Sequence, residues 1–263
     1  MDRTRTLSLR FAIAGCLLAA AAVVSAAPAK LSAEQIVEKN VAARGGLAAW
    51  RGVQTLVTEG QMDAGGQPPH ALPFVLKQKR PHKSRLEIVF KDQTAVQIYD
   101  GTSGWTVRPF TNRTEVETMT SAELASAAAS DSFDGPLVDY AAKGTKISLV
   151  GIETVDERDT YHLKLTPKSG AARNVWIDAG TFLELRVDGE PRRVDGRMHP
   201  VYVYYRDWKA EKGLMTPRTQ ETVVDGTKMA SKVVVTKVSV NEALDDATFQ
   251  KPNLPDAKPV QKH

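Results

Sequence analysis

The stretch YDGTSGWTVRPF, residues 99–110, reads as a β-hairpin. TAVQIY (94–99) leads in, Asp100-Gly101 opens the turn, Gly104 closes it, and Trp105 starts the returning strand. Glycine tolerates positive φ and an aspartate side chain bonds back to its own backbone, so the turn chemistry accounts for these three residues. Trp105 and Val107 are left as large apolar side chains on the returning strand, and the open question is what they face.

The same pattern repeats outward. About twelve segments alternate between polar and apolar residues: roughly 54–63, 72–79, 83–91, 94–99, 104–109, 146–153, 159–166, 173–178, 182–188, 199–208, 214–225 and 228–240. Turn residues separate them, as in DAGG (63–66), DGTSG (100–104), PKSG (167–170), DAGT (178–181) and DG (225–226). Strict alternation places successive side chains on opposite sheet faces. Leu86, Ile88 and Phe90 share one face, with Arg85 and Glu87 on the other; Tyr161, Leu163 and Leu165 alternate with His162 and Lys164.

Helix is scarce. LSAEQIVEKNVAARGG has Ser32 as N-cap, Gln35 at the reciprocal capping-box position and Gly45-Gly46 as a stop. LAAWRGV adds one short helical turn. MTSAELASAAAS and GPLVDYAAKG form an Ala-rich helical region split by DSFDGP. A sheet with one apolar face must cover it with a second sheet, by closing on itself or with helices, and with little helix to spare strong curvature is the economical solution. The expected fold is mainly β: a strongly curved antiparallel sheet of about 11–12 strands, with short helices covering its concave apolar face. A hollow of that kind accommodates a small apolar ligand.

The ends carry different information. MDRTRTLSLR is a basic segment, FAIAGCLLAAAAVV an apolar one, and Val24 and Ala26 occupy the −3 and −1 positions before Ala27-Pro28. This reads as a secretory signal peptide over 1–26, cut near Ala26. The alternative is lipidation at Cys16, the only cysteine, but just five residues separate it from Arg10 and a long apolar run follows it. A single domain over 27–250 and a disordered Pro-rich tail over 251–263 complete the expected organisation.

The 263 residues are 42% apolar and 25% charged, enough to bury a core. The formal charge of +4 is shared equally between the first 26 residues, where Arg3, Arg5 and Arg10 face Asp2, and the remainder. No basic block of the nucleic-acid type occurs, so no nucleic-acid partner is expected. No H-E-x-x-H, G-x-S-x-G, P-loop or dinucleotide fingerprint is present, and the five histidines are scattered. Neither catalysis nor a metal or cofactor is expected. Asp131, Asp134, Asp245 and Asp246 suit turns and caps. Tyr202, Tyr204 and, after a skip, Trp208 are read as cross-strand packing, with a pocket wall as the alternative.

Three collinear stretches resemble the LolA/LolB superfamily of periplasmic lipoprotein-sorting and carrier proteins. These are LKQKRPHKSRLEIVF (76–90) with its R-P pair, YDGTSGWTVRPFTNRTEV (99–116) with a D-G-x-x-x-W hairpin, and YHLKLTPKSGAARNVWIDAGTFLELRV (161–187). ATFQKP (247–252) is similar to a short closing strand of that family. The resemblance implies that the sheet forms an unclosed half-barrel of about eleven strands lidded by helices. It also implies a periplasmic chaperone that shelters the acyl chains of lipoproteins, or a related lipid, on the way to the outer membrane. Its partners would be an inner-membrane donor complex and an outer-membrane acceptor, with the carrier itself a monomer. The alternative is a lipid- or lipoprotein-sensing regulatory module of the same fold. On the half-barrel reading, Leu76, Leu86, Ile88, Phe90, Trp105, Val107, Leu163 and Leu165 are candidates for the wall of the hollow. Arg80, matching the family's R-P arginine, is either a rim cation that handles cargo and lid, or a solvated arginine at a strand end.

Overall fold

Every strand in a sheet needs a neighbour for its backbone N–H and C=O groups, and here thirteen strands find theirs in one antiparallel sheet. The computed structural model describes residues 31–63, 71–111, 113–129, 133–168 and 171–253. The expected signal peptide and Cys16, Asp131, most of the 63–66 turn, the end of the 167–170 turn and the tail from 254 onward lie outside the described residues.

The first half of the sheet is a meander of β1 (Thr55–Asp63), β2 (Ala71–Lys79), β3 (Lys83–Phe90), β4 (Gln93–Tyr99), β5 (Gly104–Arg108) and β6 (Arg113–Thr118). The second runs through β7 (Lys146–Val155), β8 (Arg158–Thr166), β9 (Arg173–Asp178) and β10 (Glu184–Asp188). A separate ribbon of β11 (Arg192–Val194) and β12 (Arg197–His199) intervenes before β13 (Val201–Glu211), β14 (Leu214–Val224) and β15 (Ala230–Val240). The halves are joined by β1 pairing with β15, and the outermost strands β6 and β7 remain unpaired to one another, so the barrel is unclosed.

All twelve segments read as strands from alternation are strands. β6, β11 and β12 lacked that signal because they are almost wholly polar, as in RTEVET and RRV. ATFQKP is not a strand. Its first residues belong to a 3-10 turn, Asp246–Phe249, capped by the Asp245 side chain accepting from the Ala247 N–H at 2.8 Å.

Among the described residues three α-helices accompany the sheet: α1 (Ala33–Ala43), α2 (Leu47–Arg51) and α3 (Ser121–Ala129). The capping box of α1 forms as read, with the Gln35 N–H donating to Ser32 Oγ at 3.2 Å and the Ser32 N–H to Gln35 Oε1 at 2.9 Å. GPLVDYAAKG, expected to be helical, is a chain of turns instead. Gly135, Asp139 and Gly144 have φ of 79°, 54° and 74°, and left-handed residues at that spacing cannot continue a right-handed helix. Leu137 and Val138 are nevertheless fully buried, so the segment is pinned.

The two faces of the sheet follow from register. Leu76 pairs with Leu86 and Phe74 with Ile88, and these side chains join Trp50, Val53, Leu56, Leu214, Val235 and Val238 in the inner core. On the outer face Ile98 pairs with Arg85 and with Trp105, while Val96 pairs with Glu87 and with Val107. Trp105 and Val107 therefore share the face of Arg85, opposite Leu86. There they pack with Val96, Ile98 and the C-terminal Phe249. Their expected place in the hollow is corrected: alternation revealed that two faces exist, but the residues covering each face come from segments distant in sequence. Lys79 and Lys83 hold this C-terminal cover through Asp246 at 2.7 and 3.1 Å, and Arg85 donates to the Thr248 carbonyl at 3.2 Å.

The other wing has an outer aromatic layer. Arg186 lies over the Trp176 and Tyr202 rings at 3.7 and 4.7 Å, and His162 stacks on Trp176 at 4.6 Å. Tyr202 and Tyr204 belong to this layer. Asp207, at φ 55°, interrupts the pairing of β13 with β14, which keeps one register on either side of it. Trp208 meets Tyr205 edge to face at 6.2 Å and is not part of the Tyr202–Tyr204 layer.

Phe249→Ala should cost about 3–5 kcal/mol in urea denaturation, because it empties the centre of the outer cluster. Gly60→Val should cost about 3 kcal/mol or more, since a Cβ at Gly60 would run into the Val234 carbonyl oxygen and lie 3.0 Å from Val235 Cα.

Candidate functional site

The inner face encloses a cavity of about 760 Å³, within the range of about 300–1,000 Å³ common to small-molecule sites. Its walls come from β3 at one side of the sheet round to β8 at the other, which is possible only because the sheet bends strongly. Leu56, Met62, Phe74, Leu76, Leu86, Val175, Val187, Val233, Val235 and Val238 supply most of the apolar lining.

Strand direction gives the cavity two unlike ends. Leu56, Gln78, Glu184, Thr216 and Val238 stand at the strand ends where α2 and the C-terminus of α1 plug the sheet, forming a floor. Met62, Leu165, Arg173, Asp188 and Val233 stand at the opposite strand ends, forming a mouth. The segment 133–144 covers one side, contributing Phe133, Gly135, Pro136 and Lys143 to the lining. Burial pushes the Lys143 ammonium below its ordinary pKa, partly offset by the Asp134 carboxylate 3.8 Å away.

The plug is seated by α1. Its last turn brings Arg44 under the sheet, where the Arg44 carbonyl accepts from Trp50 Nε1 and from the Met215 N–H, each at 3.0 Å. Gly45, at φ 112°, abuts the Gly213 backbone closely enough that a Cβ would collide with it. The Arg44 guanidinium lies 4.6 Å from the Trp50 ring centroid and 5.9 Å from that of Trp208. Its Nη1 donates to Glu184 Oε1 at 3.1 Å and to the Asp134 carbonyl at 2.8 Å. Both side chains of this ion pair are about 5% exposed. Tyr205 also lines the floor, and burial, reinforced by the Glu184 carboxylate, pushes its hydroxyl up to about 12, so it stays protonated across the physiological range.

Arg80 stands beside this floor, tying plug and cover together. Its Nε donates to the Val53 carbonyl at 2.7 Å, and its Nη2 donates to the Trp50 carbonyl at 3.1 Å and to Asp134 Oδ2 at 2.8 Å. Its guanidinium sits 4.7 Å from the Phe133 ring centroid. It is thus anchored to backbone and carboxylate rather than solvated at a strand end, and the Arg80–Pro81 peptide is cis.

Of the eight apolar candidates, Leu76, Leu86 and Leu165 line the cavity. Ile88 packs against the inner core cluster behind them. Phe90 lies further along the same strand face, beside Lys91. Leu163 is fully buried and pairs with the lining residue Val175. Trp105 and Val107 belong to the outer face. The sequence reading missed Arg44, Glu184, Tyr205 and Thr216. The available signal was Glu184 itself, a lone carboxylate between Leu183 and Leu185 where alternation called for an inward side chain. Among the described residues no group of His, Cys, Asp and Glu is arranged to hold a metal ion.

Glu184→Leu should leave Arg44 buried without its counter-charge and lower stability by about 3–5 kcal/mol, and adding Arg44→Met should recover most of the loss. Urea denaturation of the single and double variants measures both effects.

No family model matches the chain, and no curated protein matches it by sequence. Solved structures do resemble it. A lipoprotein-sorting protein domain from Vibrio parahaemolyticus, described as an outer-membrane one, superposes with a TM-score of 0.56 at 12% identity, covering 83% of this chain and 96% of the other. A DUF1329 family protein from Desulfovibrio piger gives 0.56 at 17% identity, covering 83% and 97%. A LolA superfamily protein from Nitrosomonas europaea gives 0.56 at 16% identity, covering 84% and 98%. At such identities the likeness speaks for fold alone, and the unclosed antiparallel sheet around a plugged cavity is a LolA-like fold.

Proposed function

We propose that this protein is a periplasmic carrier that shelters the acyl chains of a lipoprotein, or of a related lipid, in the cavity between inner face and plug. The observation that carries this reading is the cavity itself: about 760 Å³, walled mainly by aliphatic side chains and opening between charged residues. Each methylene moved from water into such a wall gains about 0.8 kcal/mol, so even part of an acyl chain binds usefully without fixed polar contacts. The structural relatives described as lipoprotein-sorting and LolA superfamily proteins point the same way.

Residues 1–26 act as an export signal in this reading, and 27–250 form the carrier domain. An inner-membrane donor complex loads it and an outer-membrane acceptor unloads it. The role is binding and transfer, with no covalent step. Leu76, Leu86 and Leu165 contact the chain. Arg80 handles cargo indirectly: it clamps the 133–144 segment to the plug through Asp134 and Phe133. Widening the cavity for cargo means loosening that clamp, and re-forming it favours release.

Mass spectrometry of lipids and acylated proteins co-purifying with the native exported protein tests the reading, together with displacement of a fluorescent acyl probe. A lipid-free protein that also fails to bind the probe would sink it. Leu86→Glu, which aims a carboxylate into the cavity, should weaken probe binding at least about tenfold while the circular dichroism spectrum stays native.

A further inference from the structure

The walls of the cavity suit hydrocarbon, but its floor does not. Three polar atoms there have no hydrogen-bond partner among the described residues: Arg44 Nε, Glu184 Oε2 and Thr216 Oγ1. All three belong to residues that line the cavity and are more than nine-tenths buried. Buried polar groups are almost always paired, so three orphans at one end of one cavity call for an explanation. Their chemistry is complementary. The guanidinium nitrogen only donates, the carboxylate oxygen only accepts, and the threonine hydroxyl does either. The ion pair leaves them in this state because Arg44 spends Nη1 on Asp134 and Glu184, and Glu184 accepts through Oε1 alone.

We propose that the floor receives a hydroxyl group, so that the cargo is an amphiphile with a hydroxyl at the end that enters first and a second polar group left at the mouth. A hydroxyl, with one proton and two lone pairs, donates to Glu184 Oε2 while accepting from Arg44 Nε and from Thr216 Oγ1. A methyl terminus would leave all three atoms unpaired in a desolvated site. The mouth suits the other end of such a molecule, since Arg173, Asn174 and Asp188 line it. Tyr205, protonated at neutral pH, adds a further hydroxyl to the floor. This inference rests on the carrier reading and narrows its cargo from acyl chains in general to those hydroxylated at the far end.

The test is competition of palmitic acid and its omega-hydroxy derivative against a fluorescent acyl probe on the native protein. The omega-hydroxy acid is expected to bind roughly tenfold more tightly, the usual net worth of one buried hydrogen bond to a charged group. In Thr216→Val and in Glu184→Gln the ratio between the two acids should fall toward one. Thr216→Val keeps the shape of the side chain and the ion pair, so it remains informative should Glu184→Gln fail to fold. Equal binding of the two acids by the native protein would overturn this inference and leave the carrier reading intact. A preference that persists in Thr216→Val and in folded Glu184→Gln would also overturn it, by placing the hydroxyl elsewhere. If neither acid displaces the probe and the probe itself does not bind, the carrier reading falls and this inference with it.

Discussion

Residues about 180 positions apart meet where β1 pairs with β15, and everything else in the sheet depends on that seam. Leu56 lies against Val240 and Met62 against Val233, with a register shift at Gly60 that lets the ladder bend. On either side of it the strands are connected almost in sequence order, so each half is a meander that local turns alone nearly specify. Without the seam neither half would enclose anything, because each would expose its apolar face. With it, Leu56, Leu76, Leu86, Val235 and Val238 face one another across a bend, and the cavity is the space they leave. The closure of so long a loop is unfavourable in entropy, so the burial along the seam must outweigh it.

A bent sheet has unequal faces, and the chain covers each differently. The inner face is stopped at one end by α1 and α2, whose Trp50 is almost wholly buried. On one wing the outer face is covered by the C-terminal segment around Phe249, held by Lys79, Lys83 and Arg85. On the other wing, Trp176, Tyr202 and Arg186 cover it with their own side chains. The covers are thus tertiary, while the surfaces they cover are read from alternation. The floor departs from this economy. A buried Arg44–Glu184 pair is weak as a source of stability, since removing two charges from water costs several kcal/mol per ion before their attraction offsets it. Its place at the closed end of a cavity fits recognition better than support.

Much of the fold was legible in the chain. Period-2 alternation found twelve strands, and the capping box placed α1, because both signals arise from neighbours in sequence. β6, β11 and β12 escaped because their residues are polar on both faces, so pairing through the backbone left no mark in the side chains. The stretch GPLVDYAAKG (135–144) looked helical from composition and was overruled by Gly135, Asp139 and Gly144, whose positive φ values belong to turns. The candidate site was legible in part. Leu76, Leu86 and Leu165 were found because inward parity on their strands is a local property. Trp105 and Val107 were misplaced because the face they occupy is covered by Phe249, more than 140 residues away.

The sequence by itself determined a sheet of alternating strands with too little helix to cover it, and therefore pointed to a strongly curved one. That follows from the geometry of the extended chain, in which each side chain's face is set by its parity. Only the tertiary structure decided which face encloses the cavity, where its two ends lie, and that Arg44, Glu184 and Thr216 meet at the closed one. Those residues come from the C-cap of α1, from β10 and from β14, and no local pattern links them. What brings them together is the β1–β15 seam and the docking of Gly45 against Gly213, contacts between segments that the chain's own periodicity cannot pair.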